Sequence, residues 1–370
     1  MQLGRYAADS FALDGEILAA IEAWHRTGRA LGERDFDDLA IRLLDYQLRF
    51  NKPYARYCAS LGVSPSSLPQ SWKQIPAVPA AAFKEATLST FDPQRAALAF
   101  ETSGTTTGQG GRHFMETRAL YDASLLAGFE RFVLADRRRL RYFNLVPNPA
   151  ERPQSSLGYM MAQVSASYGD GQTGWYLRGE DLLFDAFVAD AGAAIDASQP
   201  VCIAATAFAL VIVLDEMERR DLSLAFPAGS RVMETGGFKG RVRAVAREEL
   251  YARAARAFCL PIESIVAEYG MTELSSQYYD SPQSRPTLGA RKKVAPPWLR
   301  ARVVATDGKT VSDGIVGALV HVDLANRSSC LAVATEDLGA QFADGLVVIG
   351  REAGASLRGC SLDAETLRPR

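Results

Sequence analysis

The stretch ETSGTTTGQGG, residues 101–111, has five hydroxyl side chains and four glycines and no apolar side chain. Glycines let the backbone turn so that successive N–H groups converge, and serine and threonine hydroxyls add further donors. Such a set of donors suits phosphate oxygens. A Walker A loop is excluded, because its GxxxxGK[ST] pattern requires a lysine that this stretch lacks. The composition fits a mobile surface loop equally well and does not decide between the two interpretations.

Three later segments place polar side chains directly after apolar, strand-like runs. EYGMTEL (residues 268–274) follows one such run, TEDLG (335–339) ends another with an acid, and IGRE (349–352) puts an arginine after the last one. Open α/β sheets bind ligands at the carboxyl ends of their strands, so these segments indicate a binding site. Each is weak alone, since a Tyr-Gly turn or a Gly-Arg pair is commonly structural.

The elements that must position these segments alternate along the chain. Apolar residues at three- and four-residue spacing predict helices from residue 14 to 61, and five prolines in residues 65–93 predict a surface connector. Strand and helix patterns then alternate, which predicts an α/β domain with a largely parallel sheet. After about residue 297, successive strands with Asp-Gly turns predict an antiparallel β subdomain.

The predicted domain division follows these changes of pattern. It has an N-terminal helical region and connector (1–95), an α/β core (96–296), an antiparallel β subdomain (297–350), and a hinge with a short tail (351–370).

Composition and charge argue against several classes of protein. The 41 basic and 43 acidic side chains give a net charge of −2 without long runs of one sign, so no nucleic-acid groove or membrane-surface role is expected. No apolar run reaches the roughly 18 residues of a membrane-spanning helix, and no signal-peptide pattern is present.

Five cysteines without a CxxC pair indicate reduced thiols, so we predict a cytoplasmic protein. HExxH and GxSxG motifs are absent, which argues against a zinc or serine hydrolase.

In their order along the chain, TSGTTTG, EYGMTE, TEDLG and IGR resemble the adenylate-forming superfamily of acyl-CoA synthetases, phenylacetate-CoA ligases and luciferases. METGGFKGR (233–241) and the ending GREAGASLRGCSLDAETL are more closely similar to LuxE-type acyl-protein synthetases of fatty-acid reductase systems. The resemblance covers roughly the whole chain, with specific motifs from Thr102 onward. It implies an α/β fold: a large adenylate-forming N-terminal domain of mixed, largely parallel sheets with helices, plus the antiparallel β subdomain. The mobile C-terminal domain of the larger relatives is expected to be absent or vestigial.

The resemblance also implies a site for ATP and Mg²⁺. The glycine-rich loop would hold the β- and γ-phosphates, Tyr269 would stack on adenine, Thr272 would bond the α-phosphate, and Glu273 would help hold Mg²⁺, a hard cation. Asp337 would accept both ribose hydroxyls, and Arg351 would lie beside the ribose at the hinge. The residues expected to contact ATP are Thr102, Ser103, Gly104, Thr105, Thr106, Thr107, Gly108, Gly236, Gly237, Tyr269, Gly270, Met271, Thr272, Asp337 and Arg351.

The acyl pocket and the catalytic cation are less defined. Residues 159–168 and 236–238 are expected to form pocket walls, with the glycines of ETGG also bordering adenine. In the larger relatives a lysine of the C-terminal domain is catalytic, and here that lysine is expected to be missing. The candidates to replace this lysine are Lys239, Arg112 and Arg358, unless a partner protein supplies the cation. Lys239 could also contact a phosphate.

The expected acyl acceptor is Cys360, nine residues after Arg351 in RGCSL. In LuxE-type enzymes a cysteine near the C-terminus receives the acyl group as a thioester. The neighbouring Arg358 adds a positive charge that favours a thiolate. Cys58, Cys202, Cys259 and Cys330 are instead interpreted as small buried hydrophobic residues. His113 is interpreted as a structural residue, with a phosphate contact as the alternative.

These features predict an ATP-dependent acid–thiol ligase, with Cys360, Thr272 and Lys239 as its catalytic residues. A carboxylic acid, expected to be a fatty acid, would become an acyl adenylate, acylate Cys360 and pass to a partner such as an acyl reductase. One alternative is a short acyl-CoA or acyl-carrier ligase that uses an external thiol. A second is a non-catalytic subunit that only binds nucleotide.

Overall fold

The computed structural model describes residues 2–102, 110–135, 139–179, 181–236, 246–280, 287 and 290–351, with side chains from residue 8 to residue 350 of these ranges. The α-helices are α1 (Gln2–Thr27), α2 (Glu33–Phe50), α3 (Lys52–Ser60), α4 (Ala82–Glu85), α5 (Ala119–Phe132), α6 (Ser156–Tyr168), α7 (Phe184–Asp196), α8 (Ala207–Arg219) and α9 (Arg247–Phe258). The strands are β1 (Val78–Pro79), β2 (Leu98–Glu101), β3 (Arg112–Met115), β4 (Leu140–Leu145), β5 (Gly169–Trp175), β6 (Leu177–Arg178), β7 (Asp181–Leu182), β8 (Val201–Thr206), β9 (Arg231–Thr235), β10 (Ile265–Tyr269), β11 (Tyr278–Asp280), β12 (Lys293–Val294), β13 (Leu299–Val304), β14 (Gly317–Asp323), β15 (Ala332–Phe342) and β16 (Gly345–Arg351).

The chain forms two compact units that do not follow the order of the sequence. The described parts of Met1–Ala127, Met271–Gln277 and Val294–Arg370 make the first unit, and those of Gly128–Gly270 and Tyr278–Lys293 make the second. The N-terminal helices therefore share a unit with the C-terminal strands. The division into four consecutive domains stays a prediction.

Buried polar side chains explain why the ends of the chain share the first unit. Gln47 of α2 donates to the carbonyl oxygen of Asn326 at 2.8 Å and accepts from the Leu331 N–H at 2.9 Å. Asn51, which caps α3, donates to the Ser329 carbonyl oxygen at 3.0 Å. These are long-range bonds between side chains and backbone, which changes of composition along the chain do not reveal.

The sheets of the first unit are mostly antiparallel. β13, β14, β15 and β16 pair in that order as antiparallel neighbours, and β1 adds to β15 in parallel. β2 and β3 form a separate antiparallel hairpin, with Glu101 opposite Arg112. The predicted antiparallel β subdomain is confirmed. The hairpin was not predicted, and it is the element that carries the glycine-rich stretch.

The second unit contains the predicted parallel sheet. Its strands lie in the order β11, β10, β9, β8, β4, β5. In this order each neighbouring pair from β10 to β5 is parallel, and β11 is antiparallel to β10. Every residue of β8 from Val201 to Ala205 is buried. The reason is that α7, α8 and α9 cover the sheet with one large apolar core. The predicted α/β fold class is confirmed. Among the described helices, none is both long and apolar enough to cross a membrane.

Candidate functional site

The base of the glycine-rich stretch is closed by two hydrogen bonds in the first unit. The Thr102 N–H donates to the Gly111 carbonyl oxygen at 2.8 Å, and the Gly111 N–H donates to the Thr102 hydroxyl at 2.8 Å. The Thr102 side chain is 8% exposed, so its hydroxyl has a defined role in holding the base. The expected phosphate contacts Ser103, Gly104, Thr105, Thr106, Thr107 and Gly108 lie outside the described residues.

His113 lies on β3, two residues beyond this base, and contacts the EYGMTE motif. Its Nδ1 is 2.7 Å from the carbonyl oxygen of Thr272, and its Nε2 is 2.8 Å from the Ser329 hydroxyl. The ring is fully buried, and its edge packs on Phe83 at 5.6 Å between centroids. Burial lowers the pKa of His113 to about 4. Both ring nitrogens contact protein, which supports the structural interpretation of His113 over a phosphate contact.

The residues after Thr272 are held by the last residue of β14 and by the turn that follows it. Asp323 accepts hydrogen bonds from the N–H groups of Ser275 and Ser276, both at 2.9 Å, and from the Ser276 hydroxyl at 2.8 Å. Asn326 donates to the Glu273 carbonyl oxygen at 2.8 Å. Burial raises the pKa of Asp323 to about 6, although these donors oppose the shift. The backbone from Thr272 to Ser276, which belongs to the first unit, is therefore held by other residues of that unit.

Glu273 is the expected magnesium ligand. Its side chain is 8% exposed. Among the described residues, no group of three or more histidines, cysteines, aspartates or glutamates is arranged to hold a metal ion. A single carboxylate fits a Mg²⁺ ion that is carried mainly by nucleotide phosphates, since Mg²⁺ takes one or two carboxylates and substrate oxygens in such sites.

Asp337 and Arg351, the expected ribose contacts, are brought together by strand pairing. They lie directly opposite each other on β15 and β16. The Asp337 side chain is half-buried, and its N–H donates to the Thr335 hydroxyl at 3.2 Å. The backbone of Arg351 is described and its side chain is not. The register thus places both residues at one point of the first unit's sheet.

In the second unit, the expected adenine contacts lie at the carboxyl ends of neighbouring parallel strands. Glu268 of β10 is in register with Thr235 of β9, so Tyr269 and Gly236 each come one residue later. Gly236 has a φ of 77°, a left-handed conformation that favours glycine. The half-buried Tyr269 ring lies 5.8 Å from that of Tyr278.

A buried acidic cluster at the same strand ends was not predicted. The Thr235 hydroxyl donates to the Glu268 carboxylate, and the Tyr251 hydroxyl donates to that of Glu234 at 3.0 Å. Burial raises the pKa of Glu268 to about 7 and also raises the pKa of Glu234. Burial lowers the pKa of the nearby Lys293 to about 8. The sequence signal for this cluster was a glutamate one residue before the end of each strand, in METGG and in AEYG.

Charged side chains also satisfy the backbone of β10 where its pairing with β11 stops. The Ala267 N–H donates to Asp280 at 2.7 Å, and the Lys293 amino group donates to the Ala267 carbonyl oxygen at 2.9 Å. Arg291 donates to the Ile265 carbonyl oxygen at 2.6 Å. These bonds replace a strand ladder and fix the end of β10 just before Tyr269.

An open cleft of about 670 Å³ lies beside α6 in the second unit. It is lined on α6 by Ala162, Ser165 and Ala166, and elsewhere by Asp170 and Trp175 among others. The α6 residues fall within the predicted pocket wall 159–168. The other predicted wall, residues 236–238, lies outside the described residues beyond Gly236.

The cysteines and the expected cations differ in their surroundings. Cys58, Cys202 and Cys330 are buried, as predicted. The prediction was wrong for Cys259, which is exposed and is the C-cap residue of α9, with a left-handed φ of 51°. Arg112 pairs with Glu101 at 3.0 Å. Gly237, Lys239, Arg358 and Cys360 lie outside the described residues.

Solved structures share the fold of this chain at low sequence identity. The crystal structure of 2-hydroxyisobutyryl-CoA ligase with 2-HIB-AMP and CoA in the thioesterification state has a TM-score of 0.66 and 13% identity, covering 87% of this chain and 69% of that chain. Its open conformation gives a TM-score of 0.65 at 12% identity, covering 87% and 76%. The structure of McyG A-PCP with phenylalanyl-adenylate gives 0.51 at 16% identity, covering 71% of this chain. The chain spans only 42% of that McyG structure.

The family comparison agrees with the fold. No significant match was found among curated proteins. The model of the family described as "Acyl-protein synthetase, LuxE" matches residues 36–366. The predicted family and the predicted α/β fold are thereby confirmed, and the adenylate-forming acid–thiol ligase activity stays a prediction. The match spans most of the chain and includes the motifs from Thr102 to Arg351, so the chain belongs to the LuxE family of acyl-protein synthetases.

Proposed function

We propose that this protein activates a carboxylic acid with MgATP, transfers the acyl group to its own Cys360, and passes it to a partner such as an acyl reductase. The observation that carries the proposal is the match to the acyl-protein synthetase family over residues 36–366. The adenylates in the neighbouring structures, 2-HIB-AMP and phenylalanyl-adenylate, support acyl adenylate as the intermediate.

The first step joins the acid to AMP. A carboxylate oxygen attacks the α-phosphorus, the bond from that phosphorus to the bridging oxygen breaks, and pyrophosphate leaves. The Thr272 hydroxyl donates a hydrogen bond to the α-phosphate. The backbone of Thr272 is held by His113, which contacts the Thr272 carbonyl oxygen. Glu273 contributes a carboxylate toward Mg²⁺, which when bound neutralises phosphate charge. Fixed donors aimed at developing charge are commonly the largest catalytic contribution.

The second step moves the acyl group to sulfur. The Cys360 thiolate attacks the carbonyl carbon of the adenylate, and AMP leaves with the electron pair of the acyl–phosphate bond. The product is a thioester, which a partner can accept as a substrate. Asp337 holds the ribose during both steps, opposite Arg351 on the neighbouring strand.

A fatty acid is the proposed substrate. The cleft beside α6 has a volume of about 670 Å³, within the roughly 300–1,000 Å³ range of small-molecule sites. Its lining includes the apolar side chains of Ala162, Ala166 and Trp175, which can pack on an acyl chain, together with the charged side chains of Arg139 and Asp170.

Intact-protein mass spectrometry tests the proposal after incubation with MgATP and a panel of fatty and aromatic acids. Wild type should gain the mass of one acyl group, and Cys360→Ser should not. Cys259→Ser is the matched control, because Cys259 is an exposed thiol of this chain. It should acylate like wild type. Loss of the adduct in Cys259→Ser with retention in Cys360→Ser would contradict the assignment of Cys360.

The same samples separate the two alternatives. Pyrophosphate release together with thioester formation on added coenzyme A, undiminished in Cys360→Ser, would instead support a ligase for an external thiol. ATP binding without pyrophosphate release for any acid would support a non-catalytic nucleotide-binding subunit.

A further inference from the structure

The protonation state of His113 follows from its two contacts. The Thr272 carbonyl oxygen, 2.7 Å from Nδ1, can only accept, so Nδ1 carries the proton and donates. Nε2 of a neutral ring then accepts from the Ser329 hydroxyl at 2.8 Å. Full burial keeps the ring neutral. Both nitrogens are therefore used for holding protein, in opposite roles.

The bond from His113 joins two motifs that are 159 residues apart in the chain. His113 lies on β3, whose partner β2 ends at Glu101, and the pair from Thr102 to Gly111 closes the hairpin. Thr272 begins the segment whose later residues are held by Asp323 and Asn326. Among the bonds that hold this segment, the His113 bond is the one donated by a residue of the β2–β3 hairpin.

We propose that His113 is a positioning residue, which fixes the Thr272 backbone relative to the β2–β3 hairpin and so aligns Thr272 for nucleotide contact. The inference rests on the proposed function, in which Thr272 bonds the α-phosphate. A donor to a reacting phosphate must be placed closely, since a displacement of about 1 Å can lower the rate by about 100-fold. His113 acts through Thr272 and does not touch the nucleotide.

Variants of His113 separate positioning from simple burial. His113→Leu removes both hydrogen bonds, whereas His113→Asn keeps an amide N–H where Nδ1 lies and can still donate to Thr272. Tyr54→Phe is the matched control, because the buried Tyr54 hydroxyl also donates to a backbone carbonyl, that of Pro76, at 2.8 Å. Thermal melts of all three variants establish that each is folded.

The first readout is ATP–pyrophosphate exchange with the acid that acylates wild type. His113→Leu should lower kcat by about 10- to 100-fold, His113→Asn should recover most of that loss, and Tyr54→Phe should stay within about twofold of wild type. A folded His113→Leu variant with wild-type exchange would overturn the positioning role. Absence of exchange in wild type with every acid would refute the proposed function instead.

The second readout does not depend on activity. Hydrogen–deuterium exchange of the peptide covering residues 271–277 reports the order of the segment that His113 holds. Uptake should rise in His113→Leu and remain near wild type in His113→Asn and Tyr54→Phe. Unchanged uptake in a folded His113→Leu variant would overturn the inference, whatever the enzyme's activity.

Discussion

Gly110 and Gly111 show which glycines of the chain are required by packing. A Cβ on Gly111 would lie 2.7 Å from the carbonyl carbon of Phe83, and one on Gly110 would lie 2.6 Å from the carbonyl oxygen of Thr102. Both contacts are with backbone, which cannot swing aside. Gly15 of α1 differs, because a Cβ there would meet nothing within 4 Å. The glycine-rich stretch therefore has a structural requirement at its end that is independent of ligand binding.

Gly111→Ala and Gly15→Ala should change stability in opposite directions. We expect Gly111→Ala to lower the free energy of unfolding by about 1–3 kcal/mol, because the backbone of Phe83 must shift to admit the methyl group. Gly15→Ala should raise it by about 0.5–1 kcal/mol, because alanine is the better helix former. Urea denaturation measures both. Equal stability of the two variants would show that the hairpin base is not closely packed.

At the scale of elements, α1 is fastened to the first unit by two arginines in different surroundings. Arg327, 1% exposed, pairs with Asp14 at 2.8 Å and with Glu116 at 2.7 Å. Arg42 of α2 pairs with Glu16 at 2.5 Å, with both side chains more than 40% exposed. Water screens the second pair and barely reaches the first, so the two bridges should differ in their effect on stability.

Arg327→Met should destabilise the protein much more than Arg42→Met. Removing the buried cation takes the Arg327 partner away from both Asp14 and Glu116, which costs about 3–5 kcal/mol. Loss of the exposed pair costs less than about 1 kcal/mol. The free energies of unfolding of the two variants, compared in urea at one pH, check the difference. Similar losses for both variants would contradict the importance of burial here.

At the scale of the whole molecule, the sequence was informative about elements and less so about their contacts. The parallel strands β8 and β10 were predicted because each is a short apolar run, β8 between two helices and β10 after α9. The β2–β3 hairpin was missed because the polar loop it carries hid its short strands. The grouping of the N-terminal helices with the C-terminal strands was missed because single buried side chains such as Gln47 make it.

The candidate site shows the same limit. Motif order led to the prediction of Thr272, Glu273 and Asp337 as site residues, and strand register places Asp337 opposite Arg351. The groups that hold Thr272 and Glu273, His113 and Asn326 respectively, lie far away in sequence and have no motif of their own. A resemblance transfers ligand contacts from a family, whereas the supporting bonds are found only from three-dimensional packing.

Four buried groups make the stability of the molecule depend on pH in opposite directions. Burial lowers the pKa of His113 and His321 from 6.5 to about 4, so their contribution is present above pH 6.5 and lost as pH falls toward 4. Burial raises the pKa of Asp323 from 3.8 to about 6 and that of Glu268 from 4.5 to about 7. Their contribution is present at low pH and lost as pH rises through those values. Between pH 4.5 and 6.5 the two pairs oppose each other.

Glu268→Gln should therefore uncover the acid sensitivity that the histidines confer. Between pH 6.5 and 4.5 the free energy of unfolding of Glu268→Gln should fall by about 2 kcal/mol relative to that of wild type, since each shifted pKa unit is worth about 1.4 kcal/mol. Glu216→Gln is the control, because a hydrogen bond from Arg219 lowers the pKa of Glu216 to about 2, outside this range. It should follow the wild-type profile. Urea denaturation at four pH values between 4.5 and 7.5 measures these profiles, and a Glu268→Gln profile parallel to that of wild type would show that Glu268 does not offset the buried histidines.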